Sequence, residues 1–116
     1  MGTGVGSRSL INNVTVKSTE FWQEKIVERG KRTYSQKKRA FGEQIRSDPL
    51  PTGYSMELAV ELNGKTLRCQ SDNSWLIKSL AQIPEDTPLY IRGFWSAHAR
   101  ERIFNLEEVG KALERS

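Results

Sequence analysis

Tyr90, Arg92 and Phe94 alternate along one short stretch, so in an extended chain their side chains share a face. An arginine between two aromatic rings is chemistry for nucleic acid. Bases stack on the rings, each stack worth about 1–3 kcal/mol, and the guanidinium meets phosphate. Arg68 lies in a neighbouring extended stretch, Lys65 in the turn before it, and Arg100 and Arg102 in or beside the polar run that follows His98. A second cationic set precedes these: Lys25, Arg29, Lys31, Arg32, Lys37, Lys38 and Arg39, with Glu28 the only acid among them. The net charge of +4 is concentrated there, and a basic block on a near-neutral body is the footprint of a polyanion partner. Such a block neutralises phosphates, releases counterions and binds with little regard to sequence. The plainer readings are Tyr90 or Phe94 packed under a neighbouring element, and a basic block that is a solvated face or a dock for an acidic protein.

Other chemistries lack residues. His98 is the single histidine and Cys69 the single cysteine, too few for a His/Cys zinc site, so no metal and no cofactor is expected. No Ser/His/Asp set and no shared-face carboxylate cluster suggests an enzyme. Gly2, Gly4 and Gly6 do not make a nucleotide loop, because no strand precedes them and no helix follows at once. No apolar run approaches the roughly 18 residues of a membrane span, and without an apolar h-region near the N-terminus no secretory signal is expected. A lone cysteine fits a reducing compartment, so the expected location is cytoplasmic, or associated with a nucleoid or nucleus.

These residues need a frame, and the clearest part of it is Tyr54–Ser71. Met56, Leu58, Val60 and Leu62 alternate with Glu57 and Glu61, Asn63-Gly64 is a strong type I′ turn signal, and Leu67 and Cys69 face inward on the return. Ser71–Ser74 is rich in helix-capping residues, and Leu76, Leu80 and Ile83 then form an apolar side, flanked by Ile77, before Pro84 ends the helix. Leu89–Ala97 and Arg102–Leu106 read as two further strands, and Glu107–Arg115 as a terminal helix with Val109 and Leu113 at i, i+4. Upstream, residues 1–9 form a Gly/Ser/Thr-rich tail expected to be disordered, and Leu10–Val16 forms a strand. Ser18 or Thr19 caps a helix over about Thr19–Arg29, and the basic residues after it continue that helix or form a loop. Asp48-Pro49-Leu50-Pro51 closes this insert, which spans about residues 18–53.

The order is strand, basic insert, hairpin, helix, hairpin and terminal helix. Five strands with a helix between the third and fourth match the connectivity of an oligonucleotide-binding (OB) barrel, with the helix as plug and Gly93 at a tight bend. The stretch Thr87–Val109 resembles small single-stranded-DNA-binding and primosomal OB proteins: Pro88-Leu89-Tyr90-Ile91-Arg92-Gly93-Phe94, a polar loop, then Arg102-Ile103-Phe104-Asn105-Leu106-Glu107-Glu108-Val109. The expected protein is therefore mostly β, a single domain over residues 10–116. It is a small five-stranded OB-like barrel with an N-terminal helical basic extension and a C-terminal helix. The structural alternative is an α+β antiparallel sheet. The expected function is binding of single-stranded nucleic acid, with DNA slightly favoured. The alternatives are a protein-interaction module in a replication, recombination or DNA-transfer complex, and an RNA- or duplex-binding protein. A barrel of this size is also open to self-association.

Overall fold

The structure, a computed structural model, describes residues 8–49, 53–98 and 101–114. Six strands and two short helices follow in order: β1 (Arg8–Arg29), β2 (Arg32–Ala40), α1 (Gly42–Ser47), β3 (Tyr54–Leu62), β4 (Lys65–Ser71), α2 (Ser74–Ala81), β5 (Leu89–His98) and β6 (Glu101–Lys111). The sheet order is β2-β1-β3-β4-β6-β5, and β5 pairs back onto β1. Five strands therefore close a small OB-like barrel, with β2 outside it on the flank of β1. All pairings are antiparallel except β4–β6, a short parallel contact of Cys69 with Phe104 and Gln70 with Asn105.

Alternation fills the barrel. Met56, Leu58 and Val60 of β3, Cys69 of β4, Leu89 and Ile91 of β5, and Phe104 and Leu106 of β6 are buried with Val14 and Phe21 of β1. Asn63 and Gly64 both take positive φ (51° and 80°), as the expected type I′ turn requires. The plug helix is present, capped by the Asn73 side chain, which accepts from the Trp75 and Leu76 backbone N–H groups. Its buried face is Leu76, Ile77 and Leu80, with Ile77 fully enclosed and Ile83 only partly so. The unforeseen helix α1 buries Ile45 and is tied to α2 by Arg46, which donates to the Ala81 carbonyl at 2.8 Å.

Three expectations are corrected. The helix over Thr19–Arg29 is instead the second half of β1, and the basic residues beyond it form a strand rather than more helix or loop. β1 pairs with β5 through Val14, with β3 from Thr15 to Gln23, and with β2 from Phe21 to Arg29. These cross-strand partners outweigh the weak helical spacing of Trp22 and Ile26. Gly30 sits at the end of the ribbon. It opens a two-residue turn with positive φ (61°), the first-position glycine of a type II′ hairpin. The extension is therefore a β-ribbon arm. The C-terminal helix is likewise β6 running on to Lys111, with Val109 opposite Ile91 and Gly110 opposite Tyr90. The terminal tail gives up Arg8 and Ser9 to β1, and residues 1–7 lie outside the described residues.

Candidate nucleic-acid interface

Register sorts the basic block onto the two faces of the arm. Directly paired residues on antiparallel strands point the same way. One ribbon face carries Gln23/Lys38, Lys25/Gln36, Val27/Tyr34 and Arg29/Arg32; the other carries Trp22/Arg39, Glu24/Lys37, Ile26/Ser35 and Glu28/Thr33. The first face holds four cations and no carboxylate. Among the described residues, none of those four cations is in an ion pair. The second face holds Lys37 and Arg39 among carboxylates. Arg39 lies 3.9 Å from Glu20, and Ser35 donates to Glu24 at 2.8 Å. Lys31 sits in the turn between the strands.

At the root of the arm, Trp22 is flanked by cations. Lys37 Nζ lies 5.1 Å from the ring centroid and the Arg39 guanidinium carbon 5.3 Å, both within cation–π range. The Trp22 Nε1 is buried with no hydrogen-bond partner among the described residues. Trp22 is not among the candidate residues that the sequence singles out. Its alternation with Glu20 and Glu24 was the available signal.

From this root the outer barrel surface runs across β3 and β4 to β6. A depression of about 150 Å³ is lined by Ser18, Glu20, Glu57, Ala59, Arg68, Gln70 and Ile103, with others from the wall. A neighbouring one of about 370 Å³ lies where β4 parts from β6. Lys37, Ser55, Glu57, Gln70, Asp72, Phe94 and Asn105 are among its lining residues. The Gln70 amide donates to the Asn105 side chain at 2.8 Å, and Asn105 donates to Ser96 Oγ at 2.8 Å and the Phe94 carbonyl at 3.2 Å. These amides pin the short parallel seam. Gln70 and Asn105 were not singled out in the sequence, and polar residues inside otherwise alternating strands were the sign.

The three-residue platform is divided. Tyr90, Arg92 and Phe94 share a face, as alternation requires, and of the three Phe94 lines the larger depression described above. Arg92 Nε is paired with Glu108 at 3.2 Å. The Tyr90 ring lies over Gly110, and its phenol is pushed above the usual tyrosine range by burial, then by its hydrogen bond to Glu108 and that residue's charge. Arg68 is likewise held, both Glu101 carboxylate oxygens at 2.9 Å from its Nη1. Arg102 stacks on Trp95 at 4.7 Å, while Trp95 packs edge-on against Phe104. Lys65 sits at the Asn63-Gly64 end of the hairpin, opposite the end at Tyr54 that meets the arm, so it does not join the others. Arg100 lies outside the described residues. The structure thus brings together Phe94, Lys37, Arg39 and Trp22 around the outer face, extends Lys25, Arg29, Lys31, Arg32 and Lys38 along the arm, and leaves Arg68 and Arg92 already engaged.

No group of three or more His, Cys, Asp or Glu residues among the described residues is placed to hold a metal ion. Cys69 is buried mid-strand, and burial pushes its thiol up to about 12. Among the described residues, no helix is long and apolar enough to cross a membrane. Compared with known proteins, the chain matches no family model, no curated protein and no solved structure.

Proposed function

We propose that this protein binds single-stranded nucleic acid, DNA ahead of RNA on the resemblance of Thr87–Val109, with little sequence preference. The observation that carries this reading is the outer face at the root of the arm, where Lys37 and Phe94 line one depression and Lys37 and Arg39 flank Trp22. Lys37 is in no ion pair among the described residues, so it meets phosphate without first giving up an internal partner. Arg68 and Arg92 must exchange Glu101 and Glu108 for phosphate, which makes them secondary contributors. The strand's path is across β3 and β4, with Phe94, and Trp22 between its two cations, as the aromatic surfaces. The protein needs no catalytic group, metal or cofactor for this.

Fluorescence anisotropy with a labelled oligo-dT of about 30 nucleotides, against the matching duplex at two salt concentrations, tests the reading. The expected result is single-strand preference with affinity falling steeply with salt, the log–log slope about −0.7 per phosphate neutralised. Absence of binding at low salt overturns it. A second reading, an accessory module in a DNA-processing complex, rests on the outer edge of β2, which pairs with no strand among the described residues and is open to an added strand. A strand added there is held mainly by backbone hydrogen bonds, which respond less steeply to salt than a phosphate-driven complex, so the same titration separates the two.

A further inference from the structure

We infer that the free half of the arm grips duplex, and that the preferred ligand is a junction between single- and double-stranded nucleic acid. This rests on the single-strand reading above and adds a second subsite to it. β1 pairs with β3 only as far as Gln23 opposite Tyr54, with one further backbone bond, Glu24 N–H to the Gly53 carbonyl at 2.8 Å. From Lys25↔Gln36 to Arg29↔Arg32 the arm is a two-stranded ribbon with no third strand, and every side chain but Val27 is exposed. Ile26 is 77% exposed and Tyr34 42%. A lone ribbon of this kind has little core of its own to hold it, so its shape is adapted to something it lies against.

The distribution of charge says what that is. Glu24 and Glu28 lie on the face that continues the outer barrel surface, and the four unpaired cations lie on the opposite one. A ribbon laid with its cationic face into a double helix turns both carboxylates away from the phosphates. It presents Arg29, Arg32 and Lys25 of the free ribbon, with Lys38 at its root opposite Gln23, to the backbones, and Gln36 and Tyr34 to the groove floor. The major groove, about 12 Å wide, admits a two-stranded ribbon. Five residue pairs span about 17 Å, roughly half of a ~34 Å helical turn, enough to meet the backbones flanking one groove. The surface holding Phe94 and Trp22 belongs to the other side of the sheet. A strand running over the barrel and a duplex under the arm are therefore on opposite sides of one ribbon, the geometry of a point where a duplex opens.

The test compares three labelled ligands on the full chain: oligo-dT, a blunt duplex, and the same duplex carrying a dT tail. The tailed duplex should bind at least about tenfold more tightly than either part, because the second contact becomes intramolecular. The combined variant Lys25→Gln, Arg29→Gln, Arg32→Gln and Lys38→Gln, whose sites are all exposed, should lose that gain and bind the tailed duplex no better than dT. Phe94→Ala should weaken dT and tailed duplex alike. Oligo-dT binding with no gain from the duplex overturns the junction proposal and leaves the single-strand reading standing. Duplex binding without dT binding overturns both. A combined variant that weakens dT and tailed duplex by the same factor also overturns the junction proposal.

Discussion

Glu57 stands directly across from Glu20 on the outer face of the β1–β3 pair. Both line the shallow depression at the foot of the arm, where the Arg39 guanidinium lies 3.9 Å from Glu20. Like charges directly opposed across strands destabilise a sheet by about 0.2–1 kcal/mol. Glu57→Gln should therefore raise stability by a few tenths of a kcal/mol in urea unfolding. It should also tighten oligo-dT binding at low salt. A weaker complex would mean that the strand does not cross this part of the barrel.

Phe94 and Tyr90 should separate cleanly. Phe94 lines the larger depression beside Lys37, whereas Tyr90 is bonded to Glu108 over Gly110. Phe94→Ala should cost about 1–3 kcal/mol of single-strand binding in an anisotropy titration, the worth of one stacked base. Tyr90→Ala should leave the same titration unchanged and lower the melting temperature instead. The reverse pattern would move the path of the strand to the other end of β5.

Two strand glycines make a second contrast. A Cβ on Gly93 would lie 1.9 Å from the Asn105 carbonyl oxygen and 3.2 Å from the Leu106 Cα, all of it backbone at the irregular step between β5 and β6. Gly93→Ala should cost more than about 3 kcal/mol, since β6 itself must shift. A Cβ on Gly110 meets only the Tyr90 ring, 2.4 Å from Cε2, and a side chain can swing aside. Gly110→Ala should cost roughly 1 kcal/mol and let the tyrosine ionise at lower pH, read by ultraviolet titration. Equal losses in thermal melts would contradict the distinction.

Stability should decline in alkali through Cys69. Burial pushes its thiol from 9.0 up to about 12, so the folded state holds the proton after the unfolded chain has lost it. The thiol's contribution is complete below about pH 9 and is lost between about 9 and 12, at up to about 1.4 kcal/mol per pH unit. Urea midpoints of wild type and Cys69→Ala, compared at about pH 8 and about pH 10.5, should converge at the higher pH. Parallel declines would rule the thiol out as the cause.

The barrel was readable where burial enforces a period. Met56, Leu58 and Val60 alternate because one side of β3 is core, and Asn63-Gly64 marks its turn. The plug helix announced itself by Asn73 and the apolar Leu76, Ile77 and Leu80. The arm could not be read that way. With both of its faces in solvent, nothing selects apolar residues at every second position, and Trp22 with Ile26 fits a helical spacing equally well. Glu107–Lys111 failed for a related reason: Gly110, which weakens a helix, is where the Tyr90 ring needs room. Of the candidate interface, the basic residues and Phe94 stand out in the sequence. The sorting of charge onto two faces was not, because it depends on the Gly30-Lys31 turn that sets the register.

The single strand β1 makes three different pairings in succession, with β5, β3 and β2, and bends at Asn13, whose φ is 62°. The ribbon needs only neighbours in sequence, so it forms in microseconds. Closing the barrel joins Arg8 to Phe94, far apart in sequence, a slow search that pays the largest loop entropy of the strand pairings described. Before the barrel closes the arm is thus a marginal hairpin, and a polyanion held along it would favour that hairpin while the first strand is still waiting for its last partner.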